Sequence, residues 1–324
     1  MNKIKKHAYL ILAHNELNML KLLIKSLDDV SNDIYVHIDA KTKSFYSDEF
    51  EKLTRFSELI FVKRMKVYWA GFSSVKAIIL LMREANSKKQ YEYYHLISGV
   101  DIPLMTQNEI HNFINSVDND KEFVNISSTS MQELNKKVKK SNIGLIRKFL
   151  YLFRYESSKY GILYFFNQKN FGFARKGFWG KLISIVERIN IALQQLSGIE
   201  NNKNLPIYYG SSWYSISHNL VTYILINETW IVKHFKYCGC SDEIFLQTLI
   251  KKNKLSENLS INGNMRYIDW KRGSPYTFRI KDYEELINSN CFFARKFSTS
   301  VDKEIIKKLY YRLLPHEVVD SILG

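Results

Sequence analysis

Two adjacent carboxylates, Asp242 and Glu243, stand at the head of an apolar-periodic stretch, CSDEIFLQTLI, and a small-residue turn with an aromatic, Gly210-Ser211-Ser212-Trp213, lies upstream of them. If the periodic stretch is an amphipathic helix, the acids open it, and the free N–H groups and dipole of a helix start stabilise negative charge. A carboxylate held as an anion beside an aromatic wall can act as a base. The same letters also read as a plain helix start, with Ser241 or Asp242 capping the free N–H groups and Glu243 as first-turn decoration. Local pattern alone favours the cap, so the choice rests on what accompanies the pair.

Three apolar runs end in polar residues: Ala13-His14-Asn15, His37-Ile38-Asp39 and Ser98-Gly99-Val100-Asp101. Asp39 is placed to accept from a ribose or a base edge, and Asp101, at the end of the central strand, to face a sugar. Taken alone, either aspartate is a turn former that bonds its own backbone. Arg279 and the pair Arg295-Lys296 sit among apolar neighbours, FRI and FFARKF, so they do not read as a plain solvated face. A guanidinium and an ammonium held there could clamp a diphosphate, or close a salt-bridged core edge. No Gly-rich phosphate loop follows the first strand, which argues against dinucleotide and P-loop binding. Asp118-Asn119-Asp120 has the spacing of a metal-binding acid triplet, but it precedes EFVNIS instead of ending a strand. It reads as a polar turn, and no metal site is expected.

The elements that must position these groups are legible in the hydrophobic period. AYLILA, DIYVHID, LIFVK and YYHLIS read as buried strands; helical spacing at Leu17, Leu20, Ile24 and Leu27, and again at Val75, Ile78, Ile79, Met82 and Ala85, separates them. Such alternation predicts an α/β fold with a mostly parallel central sheet flanked by helices, whose ligands bind beyond the carboxyl ends of the strands. The 324 residues, 46% hydrophobic, can bury a sizeable core in one domain. From Met131 to Leu196 the chain turns dense in Lys, Arg, Phe and Tyr, as a basic aromatic helical insertion. This stretch could dock on anionic lipid head groups, or pack its aromatics on the core with its lysines solvated. The net charge of +15 favours an acidic partner, but binding of nucleic acid is not expected. Cys238, Cys240 and Cys291 are too few for a disulfide framework and wrongly spaced for zinc, so they read as free thiols in a reducing compartment. The apolar run from Ala8 to Ala13 is too short for a signal segment or a membrane span.

In order, VHID, YWAGFSSV, YYHLISGVDIPL, GSSWYSIS, SDEIFLQT, MRYIDW, GSP and FFARKF resemble the core-2/I-branching enzymes, glycosyltransferase family 14, which includes branching beta-1,6-N-acetylglucosaminyltransferases and peptide O-xylosyltransferases. The ordered set, spread over residues 8 to 298, is far more specific than any one motif. The resemblance implies a GT-A-like fold and an inverting transfer from a UDP-sugar, with no divalent metal and no other cofactor. It also implies roles. Glu243 matches the base that removes the acceptor hydroxyl proton, and Arg279 or Arg295 together with Lys296 match the basic residues on the diphosphate. Asp39 matches the acid near the nucleoside, with Ala13 and His14 beside it on the donor side. Asp101 matches a polar strand end near the donor sugar. Trp213 matches the aromatic beside the acceptor, with Ser211, Ser212 and Asp242 on the same wall. Were neither acid of the pair the base, Asp101, Asp39 and His218 would be the reserves.

On that reading one GT-A-like catalytic domain spans 1–324, with a nucleotide-sugar-binding half (1–130), the insertion (131–205), an acceptor and catalytic half (206–300) and a C-terminal helical tail (301–324). Ser212 stands where the family's xylosyltransferases have an acid, which argues against a xylose donor and a peptide acceptor. N-acetylglucosamine is then the expected sugar, delivered in beta linkage to a glycan or lipid-linked glycan. The secretory anchor and many cysteines of the animal enzymes are missing from this sequence, so a bacterial member is expected. It would work in the cytoplasm, peripherally on the inner face of the plasma membrane, in polysaccharide or glycoconjugate synthesis. The alternative is a nucleotide-sugar or carbohydrate-binding protein that kept the fold and lost turnover, but such a relic has no need of both Glu243 and the basic cluster.

Overall fold

The computed structural model describes residues 5–117, 121–134, 177–198, 202, 204–273 and 275–324. The Asp118–Asp120 triplet and most of the basic aromatic stretch therefore lie outside the described residues. The strands are β1 (His7–Ala13), β2 (Asn32–Ile38), β3 (Glu58–Phe61), β4 (Tyr93–Ser98), β5 (Ile102–Pro103), β6 (Tyr214–Ser217), β7 (Arg266–Ile268) and β8 (Phe293–Arg295). The main sheet runs β3-β2-β1-β4-β6, parallel except for β6, and β5, β8 and β7 form a second, smaller sheet. This is the expected mixed α/β architecture, with a parallel-rich central sheet between helices.

The continuous apolar run of β1 follows from its place in the middle of the sheet, where both faces are covered. Ala8 and Leu10 point into one core with α2 (Ser73–Lys88) and, later in the chain, α5 (His218–Ile226) and α7 (Phe245–Lys252). Tyr9, Ile11 and Ala13 point into the other, against α1 (Leu17–Leu27) and α3 (Gln107–Ser116). A third cluster seats α9 (Lys303–Tyr310) and α10 (His316–Leu323) on Met19 and Leu22 of α1. The remaining α-helices among the described residues are α4 (Gly177–Leu196), α6 (Glu228–Phe235) and α8 (Tyr283–Ile287). Because β1 holds the centre, Asp101 does not end the central strand as expected: it follows β4, one position over. No helix among the described residues is long and apolar enough to cross a membrane.

At the far end of the sheet from the strand carboxyl ends, the core holds a chain of polar groups. His95 Nδ1 lies 2.7 Å from Ser215 Oγ, and its Nε2 lies 3.0 Å from Nδ1 of His7, which stacks on His111. Both His7 and His95 are fully buried, and burial, more than their charged neighbours His111, Lys5 and Arg266, holds their pKa well below the ordinary histidine value. They are neutral in the folded chain, whereas the unfolded chain takes up protons below about pH 6.5. Stability should therefore be full above that pH and fall as pH drops through it, with a slope of about 3 kcal/mol per pH unit for the two groups. Urea midpoints measured between neutral and mildly acid pH would show the decline. A flat profile over that window would mean that the pair is protonated when folded.

Candidate active site

The carboxyl ends of β1, β2 and β4 meet closely. Asp39 N–H donates to the Ala13 carbonyl and Gly99 N–H to that of Leu12, both at 2.9 Å. A Cβ on Gly99 would lie 2.8 Å from that of Ala13, so only glycine lets the turn after β4 close on β1. Asp39 is buried; its Oδ1 accepts from the N–H of Lys41 at 2.9 Å and of Val67 at 3.4 Å, and its Oδ2 is 3.3 Å from the half-exposed Lys41 ammonium. The turn-forming reading is thus realised, with the second oxygen beside a half-exposed ammonium. A cavity of about 830 Å³ opens beside this edge, lined by His14, Glu16, Thr42, Lys43, Thr299 and Lys303 among others. His14 is the one sequence-predicted donor residue on its lining. His14 is exposed at the rim, yet partial desolvation lowers its pKa against the pull of Asp39, and the charges of Lys296, Lys41 and Arg295 lower it further. The Glu16 carboxylate accepts from Ser298 and Thr299 hydroxyls, each at 2.7 Å, tying the chain just past FFARKF to the loop after β1.

The acidic pair departs from expectation. Ser241–Glu243 is a separate 3-10 turn, Ile244 breaks the run with φ −131°, and α7 begins only at Phe245. Neither acid caps a helix: Asp242 accepts the Ser212 hydroxyl at 2.9 Å, and no side-chain cap bond forms at the turn or at α7. The turn is held from below by its backbone. Cys240, at φ +52°, donates its N–H to the carbonyl of Ala70, itself at φ +59°, and accepts from Glu243 N–H at 3.0 Å. From the side, Gly210 N–H donates to the Glu243 carbonyl at 2.8 Å and Gln247 Nε2 to that of Ser211 at 2.8 Å. Ser211 Oγ accepts from Trp213 N–H at 3.1 Å. The expected wall of Ser211, Ser212, Trp213, Asp242 and Glu243 is therefore assembled, through hydrogen bonds that the linear motif does not display.

Arg295 joins this wall to the strand ends. Its guanidinium lies 4.3 Å from the centre of the Trp213 ring, and its Nε is 3.7 Å from Asp101 Oδ1. Asp101 also accepts from Ser98 N–H and Ser98 Oγ, each at 3.0 Å, so it is both turn former and counter-ion. Burial lowers the Arg295 pKa, opposed by Asp101 and Asp242, and burial raises that of Asp101, opposed by Arg295. Such a pair sits in a low dielectric, where each charge depends on the other. One face of Trp213 is therefore covered by a cation and is closed to a sugar.

Two expectations need correction. Arg279 is exposed, so its apolar sequence neighbours do not enclose it: Phe278 packs inward alone, and its N–H donates to the Lys296 carbonyl at 3.0 Å, bringing the FRI and ARK segments side by side. His218 cannot be a reserve base, because β6 is antiparallel and places its backbone N–H on the carbonyl of Glu92, ahead of β4, at the opposite edge of the sheet. Sequence reasoning also missed Arg266. It is buried, its Nη2 donates to the carbonyl of Tyr214 and the hydroxyl of Ser215 at 3.0 Å, its Nη1 to the Asn264 carbonyl at 2.9 Å, and burial pushes its pKa down to about 10. Asn264 in turn donates to the Trp213 carbonyl at 3.0 Å. An arginine flanked by Met265 and Tyr267 was the available signal. No group of three or more His, Cys, Asp or Glu able to hold a metal occurs among the described residues.

The family model described as core-2/I-branching enzyme matches residues 7–289. Human probable beta-1,3-galactosyl-O-glycosyl-glycoprotein beta-1,6-N-acetylglucosaminyltransferase 7 is 27% identical over 94% of this chain and 67% of its own length. Rat xylosyltransferase 2 is 22% identical over 94% of this chain, which spans only 33% of that protein. Among solved structures, apo mouse xyloside xylosyltransferase 1 aligns over 91% of this chain and 98% of its own at 10% identity, with a TM-score of 0.37.

Proposed function

The chain belongs to the core-2/I-branching enzyme family of glycosyltransferases, and from that premise we propose that it transfers a sugar, N-acetylglucosamine first among them, from a UDP-sugar to a glycan hydroxyl with inversion and without a metal. The observation that carries the proposal is the wall itself: Gly210–Trp213 bonded to Ser241–Glu243, facing Asp101 and Arg295 beyond the carboxyl ends of parallel strands. Inversion in one displacement needs a base on the acceptor hydroxyl, and we assign it to Glu243, the position that matches the family's base, with Asp242 accepting the Ser212 hydroxyl beside it. The departing UDP needs positive charge. Lys296 and the exposed Arg279 carry it in this proposal, on segments joined by the Phe278–Lys296 hydrogen bond. Arg295 supports Trp213 and Asp101 from within. Asp39 and His14 receive the nucleoside beside the cavity at the end of β1, and Asp101 stands near the donor sugar.

Lipid-linked glycan is the acceptor class we favour, with the protein on the cytoplasmic side of a membrane, where its three free thiols Cys238, Cys240 and Cys291 stay reduced. The proposal is tested by calorimetry and transfer assays in EDTA. UDP binding and sugar transfer should persist there, and Lys296→Ala should weaken UDP binding about tenfold or more, since one charge-assisted contact to a diphosphate is lost. Loss of activity in EDTA, restored by manganese, would overturn the metal-free account and give the role to Asp118 and Asp120.

A further inference from the structure

Glu16 breaks the local rules of its position. It stands at the N-cap of α1 with φ 51° and ψ 51°, a left-handed backbone that a residue with a Cβ adopts reluctantly, and its side chain makes no cap bond to the helix. Serine, aspartate, asparagine or glycine would suit the place better. The carboxylate is used across the molecule instead. One oxygen accepts from Ser298 Oγ at 2.7 Å and from Thr299 N–H at 3.2 Å, and the other from Thr299 Oγ1 at 2.7 Å. Hydrogen bonds to an ionised acceptor are the strong kind.

What they grip is the chain that leaves Lys296. Lys296 itself is held on its near side, where its N–H donates to the Tyr276 carbonyl at 3.4 Å and its carbonyl accepts from Phe278 N–H at 3.0 Å. Beyond it, the Ser298 carbonyl accepts from the N–H groups of Val301 and Asp302 at 3.1 and 3.2 Å. Asp302 caps α9 through Ile305 N–H at 3.1 Å and accepts from the N–H of Ile280, next to Arg279, at 2.9 Å. The turn from Ser298 to Asp302 therefore follows one proposed phosphate cation and is bonded beside the other, and Glu16 fastens it to the loop after β1. Glu16, Thr299 and Lys303 line the same cavity as His14. A carboxylate facing a diphosphate directly would repel it, which leaves Glu16 an indirect role.

We propose that Glu16 is a positioning residue of the donor site: by holding Ser298 and Thr299 it sets Lys296 for the diphosphate and fixes the loop that carries His14 relative to it. The inference rests on the reading of Lys296 as a diphosphate cation, and adds to that reading a residue that acts through others.

UDP affinity is measured by calorimetry, and donor KM and kcat by transfer assay, for the wild type, Lys296→Ala, Glu16→Gly, the pair Ser298→Ala with Thr299→Val, and the last two combined. Glycine adopts the left-handed backbone without steric cost, so Glu16→Gly removes the carboxylate and adds no strain, and its unfolding temperature should stay near that of the wild type. UDP affinity should weaken about tenfold and donor KM rise to match, with kcat at saturating donor within about twofold of the wild type. The hydroxyl pair should weaken UDP binding by a similar factor, and the combined variant should be no weaker than Glu16→Gly, because both changes cut one set of contacts. Glu16→Gln, which keeps the length and one accepting oxygen, should recover part of the affinity. Wild-type affinity in Glu16→Gly or in the hydroxyl pair, losses that add in the combined variant, or a fall in kcat as large as the rise in KM would overturn the proposal. If the wild type binds no UDP, or Lys296→Ala binds it unchanged, the donor reading fails and the inference with it; a weakened Lys296→Ala beside an unchanged Glu16→Gly overturns the inference alone.

Discussion

Glu243→Gln should lower turnover about a hundredfold or more while UDP-sugar affinity stays close to that of the wild type. In a single displacement the acceptor proton must leave as the new bond forms, and a glutamine of equal volume can hold the hydroxyl but cannot take the proton. A hundredfold loss corresponds to about 2.7 kcal/mol in the barrier. The substitution leaves the backbone that fixes the turn intact, since the hydrogen bonds to Gly210 and Cys240 come from the Glu243 carbonyl and N–H. Asp242→Asn is the comparison. Because Asp242 holds Ser212 and faces Arg295, its loss should raise the acceptor KM and loosen the wall more than it slows chemistry. If the two variants exchange these behaviours in steady-state kinetics, the base is Asp242.

The second large effect is steric. At Gly210 an added Cβ would lie 1.8 Å from the Asn125 carbonyl oxygen, 2.8 Å from its carbon and 3.0 Å from Gln247 Cγ. Backbone cannot yield as a flexible side chain can, so Gly210→Ala must push the segment off Asn125 and break the Gly210–Glu243 hydrogen bond. A stability loss of about 3 kcal/mol is expected, together with a turnover loss exceeding that of Ser212→Ala, which removes only a hydroxyl from the same wall. Chemical denaturation and transfer assays on both variants check this. An alanine variant with wild-type stability and turnover would mean that the Gly210 segment does not stand against Asn125.

What the sequence revealed was whatever periodicity and local chemistry encode. The run AYLILA announced a strand covered on both faces, and Leu20, Ile24 and Leu27 announced the helix that covers one of them. The three polar strand ends were legible for the same reason, because a parallel sheet puts them at one edge. Order among the strands was not, since periodicity does not specify which strand takes the centre, and Asp101 was displaced by one strand accordingly. The acidic pair was read one element too far, as a helix start, because nothing in SDEIF marks the break at Ile244. Arg279 and Arg295 look alike in sequence, each among apolar neighbours, yet one is exposed and the other lies on Trp213. The difference is made by β8, which carries Arg295 inward beside Asp101, a contact between residues far apart in the chain. Arg266 was overlooked for a related reason: besides the Ser215 hydroxyl its partners are the carbonyls of Asn264 and Tyr214, and backbone acceptors leave no mark in a sequence.

On the proposed function, Glu243 drives sugar transfer as the base. This is tested most directly by incubating wild type and Glu243→Gln with a panel of UDP-sugars and glycan acceptors, in EDTA, and reading the new anomeric signal by proton NMR. A beta-linked product from an alpha-configured UDP-sugar is expected with the wild type and next to none with the variant. An alpha-linked product, or a beta-linked product formed equally well by Glu243→Gln, would contradict it.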